Sequence, residues 1–177
     1  MNYITDIKLR PNELFKTHLN MIIEIPTGTN EKFELVEPTF DRVECVRKVH
    51  GKYPFYYGCF PETYAGDKDP LDAILLTNKK YKQLDIVECR IVGVIHTIDA
   101  GFVDDKVLLV PCYEIMEDDD LQSKIRHTIK FLKKYKGFHS KMILDSEVYG
   151  EDEARKVIHL AHTGYKSRLP KTNVSIS

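Results

Sequence analysis

The hydrophobic pattern changes period about two thirds of the way along the chain, and this change constrains the fold most. Up to Cys112 the apolar residues fall in short Val/Ile-rich runs: Met21–Pro26, Lys32–Val36, Asp41–Val49, Asp72–Thr77, Asp85–Ile98 and Lys106–Cys112. Turn formers bound these runs, with Gly28, Gly51, Gly66 and Gly101 in the gaps, which is the pattern of β-strands. Beyond them Leu121, Ile125, Thr128, Ile129, Leu132 and Tyr135 recur at three- and four-residue intervals, one face of an amphipathic helix. Lys124, Lys130, Lys133 and Lys134 fall off that face, and the acidic run Glu117–Asp120 stands where a helix dipole favours negative charge. A second helix is predicted from about Asp152 to Ala161, with Ala154, Val157, Ile158 and Ala161 inward. Strands followed by helices predict an α+β fold: a closed or nearly closed β-barrel flanked by C-terminal helices.

The 177 residues contain no internal repeat or linker-like run, so residues 1–177 are expected to form one domain. A net charge of −1 argues against nucleic acid or an anionic membrane as a bulk electrostatic partner. No stretch approaches the roughly 18 apolar residues of a membrane span. The first fifteen residues carry charges where a signal peptide needs an apolar run. Cys45, Cys59, Cys89 and Cys112 form no C-x-x-C pair and read as reduced thiols of a cytoplasmic protein.

The segment richest in chemistry is Gly66-Asp67-Lys68-Asp69-Pro70-Leu71-Asp72, leading into the apolar run Ala73–Leu76. Carboxylates this close repel one another unless a cation sits among them, and hard divalent ions with oxygen ligands, Mg²⁺ above all, suit them. A solvated acidic loop is the plainest alternative for a D-x-D. An EF-hand loop fails, because Leu71, Asp72 and Asn78 occupy positions that need other residues. A D-x-D phosphatase would place an apolar strand before the motif, where Pro61–Ala65 stand instead. A second acidic pair, Asp99 and Asp104, reads alone as a polar hairpin turn; a meander of the intervening strands would bring it beside the first.

A carboxylate–metal cluster acting on phosphate also needs groups that hold phosphoryl oxygens: Arg for a bidentate grip, Lys for point charge, Tyr as a neutral donor. Lys32, Arg42, Tyr53, Tyr57, Lys106, Tyr135 and Lys136 are candidates, though each alone fits a strand face, a barrel core or a helix end.

Taken together these elements resemble the family I soluble inorganic pyrophosphatases over nearly the whole chain. The family signature D-x-D-P-x-D matches Asp67–Asp72. Around it, in order, stand E-I-P at Glu24, K-x-E at Lys32 and Glu34, and D-R at Asp41-Arg42. Y-P-x-x-Y-G at Tyr53–Gly58, D…G…D-x-K at Asp99, Gly101, Asp104 and Lys106, and Y-K at Tyr135-Lys136 follow. The resemblance implies a five-stranded OB-like barrel with flanking helices. It implies Asp67, Asp72, Asp99 and Asp104 as metal ligands, with Glu24 and Glu34 as supporting acidic residues. Asp69 would take the proton of the attacking water, and Lys32, Arg42, Tyr57, Tyr135 and Lys136 would hold the phosphoryl groups, with Tyr53 and Lys106 beside them. Arg47 competes with Arg42 for the substrate arginine. The implied reaction is Mg²⁺-dependent hydrolysis of pyrophosphate by direct in-line attack of a metal-activated water, with Mn²⁺ or Zn²⁺ as substitute ions. A homo-oligomer is implied as well, a hexamer before a dimer. Two departures stand out: Lys68 replaces the family's usual Gly, Ser, Asp or Asn, and the Gly101–Asp104 turn lacks a common Glu. The rival reading is a non-catalytic OB-like binding module that keeps the fold.

Overall fold

The computed structural model describes residues 1–10, 17–135 and 142–169. Lys136 therefore lies outside the described residues. In chain order the strands are β1 (Leu19–Ile25), β2 (Glu31–Leu35), β3 (Val43–Lys48), β4 (Tyr56–Cys59), β5 (Asp72–Leu75), β6 (Ile86–Ile95), β7 (Thr97–Asp99), β8 (Phe102–Val103) and β9 (Lys106–Pro111). Helix α1 (Asp118–Leu132), strand β10 (Ile143–Leu144) and helix α2 (Glu151–Arg168) follow. Five strands close a barrel, as the sequence and the resemblance lead one to expect, and their order is β1-β4-β5-β9-β6. All neighbours are antiparallel except β5 and β9, which run parallel. A β2–β3 hairpin and a small β10-β7-β8 sheet lie outside the barrel.

The runs in β5 and β9 are continuous rather than alternating because both their faces are covered. Ala73, Leu75, Val107 and Leu109 join a core that includes Ala154, Ile158 and Ala161 of α2. Ile74, Leu76, Leu108 and Val110 join a second core with Ile125 and Leu132 of α1.

The structure differs from the sequence reading in three places. Strand β4 has no alternation to reveal it, since all four of its residues are buried. Its Gly58 is opposite Ile23 of β1, and a Cβ there would sit 1.8 Å from the Ile22 carbonyl oxygen, so the strands could not meet this closely with any other residue. The run Asp85–Ile98 divides into β6 and β7. Helix α2 continues seven residues past Ala161 to Arg168, through Thr163 and Gly164, which break its apolar pattern. Gly164 lies flat against the Tyr64 carbonyl, where a Cβ would stand 2.7 Å from the oxygen. None of the described helices is long and apolar enough to cross a membrane.

Candidate active site

The parallel pairing of β5 with β9 sets Asp72 directly beside Lys106. The Lys106 ammonium is fully buried and donates to Asp72 Oδ2 and to Asp104 Oδ1, each at 2.7 Å, and to the Asp104 carbonyl at 3.1 Å. Tyr57, on the neighbouring strand β4, donates its hydroxyl to the same Asp72 oxygen. On β1, Ile23 pairs with Gly58 and Ile25 with Tyr57, so Glu24 is the extra residue of a β-bulge. Such a bulge re-aims a side chain. Here the Glu24 carboxylate accepts the Leu35 N–H at 2.8 Å, tying β1 to the β2–β3 hairpin.

Asp67 and Asp69 stand on the turn entering β5, where the Asp69 N–H donates to Asp67 Oδ1 at 3.2 Å. No side-chain hydrogen bond to the Asp69 carboxylate occurs among the described residues. Lys68 between them has φ +79°, the left-handed region that Gly, Asn and Asp enter most readily. Asp99 ends β7 and is delivered by a tight turn whose central residues, Ala100 and Gly101, both have positive φ.

These elements surround a cleft of about 560 Å³. Glu24, Lys32, Glu34, Tyr57, Asp67, Asp69, Asp72, Asp99, Asp104 and Tyr135 all line it. The two acidic segments thus meet, but not through a meander: β9 lies between β5 and β6 and runs parallel to β5, so the start of each carries its acidic segment to the same end of the barrel. Lys106 is one contact behind the lining, under Asp72 and Asp104. Tyr53 also stands behind it, packed with Phe55, Phe131 and Tyr135. Arg42 is exposed and outside the lining, but it donates to Glu44, which lines the cleft, at 3.2 Å. Arg47 is the cross-strand partner of Lys32 and holds its guanidinium 5.7 Å from the Tyr135 ring centre. Sequence reasoning missed Glu37 and Glu44 of the lining. Glu44 could have been found from its place two residues after Arg42, on the same side of a strand.

Nine carboxylates line this cleft against one cationic lining side chain, Lys32, among the described residues. The electrostatics follow. Burial pushes Glu24 up to about 8, helped by Asp72 and Glu34. Partial burial pushes Asp69 up to about 6, with Asp67, Glu34 and Asp72 adding repulsion. Burial likewise raises Asp67 and Asp104, although Lys106 opposes it at both. Asp72 is the exception: burial would raise it, but Lys106 and Lys32 outweigh that and hold it below the usual carboxylate range. Lys32 is raised, its burial outweighed by Glu34 and Asp72. An all-oxygen donor set whose members resist ionising together suits hard divalent cations.

A carboxyl raised in the folded state contributes stability that is complete below its unfolded value, about 4, and lost as pH climbs through the folded value. For Asp69 and Glu24 that window ends at about 6 and about 8. Lowered carboxyls such as Asp72 act below the window, and raised lysines and thiols above it. Metal-free protein should therefore melt several degrees lower at about pH 8 than at about pH 6, and saturating Mg²⁺ should shrink that gap. Calorimetric melts in chelator and in Mg²⁺ check this; a flat or rising metal-free profile would contradict it.

A family model described as inorganic pyrophosphatase matches residues 21–166. The inorganic pyrophosphatase of Nanoarchaeum equitans is 32% identical over 82% of this chain and 96% of its own length. That of Picrophilus torridus is 29% identical over 94% of this chain and 97% of its own. Among solved structures, an inorganic pyrophosphatase from Neisseria gonorrhoeae superposes with a TM-score of 0.74 at 28% identity, over 89% of this chain and 96% of that one. The inorganic pyrophosphatase from Thermus thermophilus has a TM-score of 0.80 at 24% identity, over 94% and 99% of the two chains, a likeness of fold.

Proposed function

The chain belongs to the inorganic pyrophosphatase family, and from that premise we propose that its cleft hydrolyses pyrophosphate to two phosphates with Mg²⁺ as cofactor. It is thus an inorganic diphosphatase, a hydrolase of the phosphoanhydride bond. The observation that carries the reading is the convergence of Asp67, Asp69, Asp72, Asp99 and Asp104 on one cleft that Lys32 and Tyr57 also line.

Asp67, Asp72, Asp99 and Asp104 would hold the cations, with Glu24 and Glu34 beside them. When bound, Mg²⁺ supplies countercharge to phosphate oxygens and acidifies coordinated water. Asp69 carries the proton-accepting role: its carboxylate is at the cleft mouth, and its raised pKa keeps it basic enough to take a proton near neutrality. Lys32 and Tyr135 both line the cleft and would grip phosphoryl oxygens. Tyr57 would donate to one such oxygen or remain on Asp72. Lys106 acts from below, fixing Asp72 and Asp104 relative to each other. Arg42 is the proposed substrate arginine: its pairs with Asp41 and Glu44 are exposed and cheap to exchange for a phosphoryl group. Arg47 is engaged by the Tyr135 ring, and Lys136 follows directly in sequence as a further cation.

The remaining assignments are proposals on the same footing: one domain over residues 1–177, a cytoplasmic location, Mn²⁺ or Zn²⁺ as substitute ions, and a homo-oligomer, hexamer before dimer. Exposed Ile98, Phe102, Val103 and Ile143 on the β10-β7-β8 sheet support a subunit contact.

Phosphate release from pyrophosphate in Mg²⁺, with ATP as control substrate, tests the function. Release from pyrophosphate and little from ATP is expected; no release from either would favour the non-catalytic barrel. Lys68 adds a smaller test. It is exposed, does not line the cleft and occupies left-handed backbone, so Lys68→Gly should relieve about 1 kcal/mol of strain. The Mg²⁺ concentration for half-maximal activity should stay unchanged. A large gain in Mg²⁺ affinity would place the ammonium against the carboxylates.

A further inference from the structure

Away from the cleft, three adjacent barrel strands bring together a second set of metal-ligating side chains of different chemistry. Cys89 of β6 pairs with Leu19 of β1 on one side and Pro111 of β9 on the other. Leu19 and Cys89 are buried in the core, so their chain neighbours His18 and Glu88 face the other way. The Cys112 N–H donates to the Glu88 carbonyl at 3.0 Å, which continues the β6–β9 pairing one step and sets Cys112 beside Glu88. His18 Nδ1 lies 2.5 Å from Glu88 Oε1, and one ligand atom from each of His18, Glu88 and Cys112 falls within 4.8 Å of the others.

We propose that His18, Glu88 and Cys112 form a structural binding site for a borderline-soft divalent cation, Zn²⁺ before any other. Imidazole nitrogen, carboxylate oxygen and thiolate sulfur are zinc's three protein ligand types, whereas a thiolate is a poor partner for Mg²⁺. Ligand bonds of about 2.0–2.3 Å put tetrahedral ligand atoms about 3.3–3.8 Å apart, so His18 Nδ1 and Glu88 Oε1, now 2.5 Å apart, need to part by roughly 1 Å, and the widest separation, at most 4.8 Å, needs to close by about as much. All three residues are half-buried, which leaves a fourth position for water. Coordination releases the thiol proton to solvent, and the resulting thiolate with Glu88 neutralises the cation. Exposed Arg90, two residues along β6, disfavours a cation only until both anionic ligands are in place. The ion would clasp the start of β1, the middle strand β6 and the end of β9, across two of the five seams of the barrel. It is independent of the reaction in the cleft.

Co²⁺ is the probe, titrated into the full chain with Mg²⁺ in large excess to occupy the carboxylate cleft. A near-ultraviolet thiolate-to-cobalt charge-transfer band, saturating at one Co²⁺ per chain, is expected, and Zn²⁺ should abolish it. Cys112→Ser should remove the band, and His18→Ala should weaken Co²⁺ binding by roughly tenfold or more. Cys59→Ser should leave it intact, since that thiol borders the cleft. Absence of the band in the parent protein overturns the proposal. So does its survival in Cys112→Ser, its loss in Cys59→Ser, or unchanged affinity in His18→Ala.

Discussion

Stripping divalent cations should bring phosphate release from pyrophosphate to background, and Mg²⁺ alone should restore it. The expectation rests on charge balance in the cleft. Nine carboxylates face one lysine along the lining described, and the substrate is itself a multiply charged anion. Two unit charges about 4 Å apart repel by about 4 kcal/mol at the effective dielectric of a protein surface, and here there are many such pairs. Lys106 cannot offset them, because its ammonium is already shared between Asp72 and Asp104. A phosphate site built on arginine and lysine would bind its anion without metal; this one would expel it. The check is dialysis against chelator, then titration with Mg²⁺, Mn²⁺ and Zn²⁺ while phosphate release is followed. Hydrolysis at a comparable rate without any divalent cation would contradict the proposed chemistry.

The acidic half of the site is legible in the sequence, because carboxylate–metal chemistry fixes residue types at short range. Asp67, Asp69 and Asp72 fall within six residues, and a short turn is enough to gather them. What joins them to distant partners is not legible in the same way. The Asp72–Lys106 contact spans 34 residues and depends on β5 and β9 running parallel in one register, which neither strand's own residues specify. Glu24 faces the cleft only because a bulge adds one residue to β1, and an unbroken strand would turn that side chain elsewhere. The closed barrel was readable from period and turn residues, whereas β4 was hidden because a fully buried aromatic strand has no polar face. The Arg42 position shows the limit most clearly. Sequence order puts it among the site elements, yet its guanidinium reaches the lining only through Glu44. The His18–Glu88–Cys112 set left no motif at all, since its members stand on β6 and just beyond the ends of β1 and β9, which meet only in the closed barrel.

Asp69→Asn should fold, bind Mg²⁺ much as the parent does and lose turnover by ~10²–10⁴, the usual cost of removing a general base. The contrast with Asp72 makes this specific. Asp72 accepts hydrogen bonds from Lys106 and Tyr57, and burial would leave Lys106 poorly paired if the charge were removed. Asp72→Asn should therefore weaken Mg²⁺ binding and lower metal-free stability, by up to ~3–5 kcal/mol if the buried pair is broken outright. Asp69 has no such ties: its carboxylate is at the cleft mouth, and its main-chain contacts, with Asp67 and Ala65, do not involve the side chain being changed. Asparagine keeps its size and can still orient a water, but it cannot take the proton. Calorimetric Mg²⁺ titration, thermal melts and phosphate release on both variants separate the two roles. Near-parental turnover in Asp69→Asn would remove the base assignment while leaving the family membership untouched. Weakened Mg²⁺ binding in that variant would instead make Asp69 a ligand, and proton acceptance would then fall to another carboxylate of the same cleft.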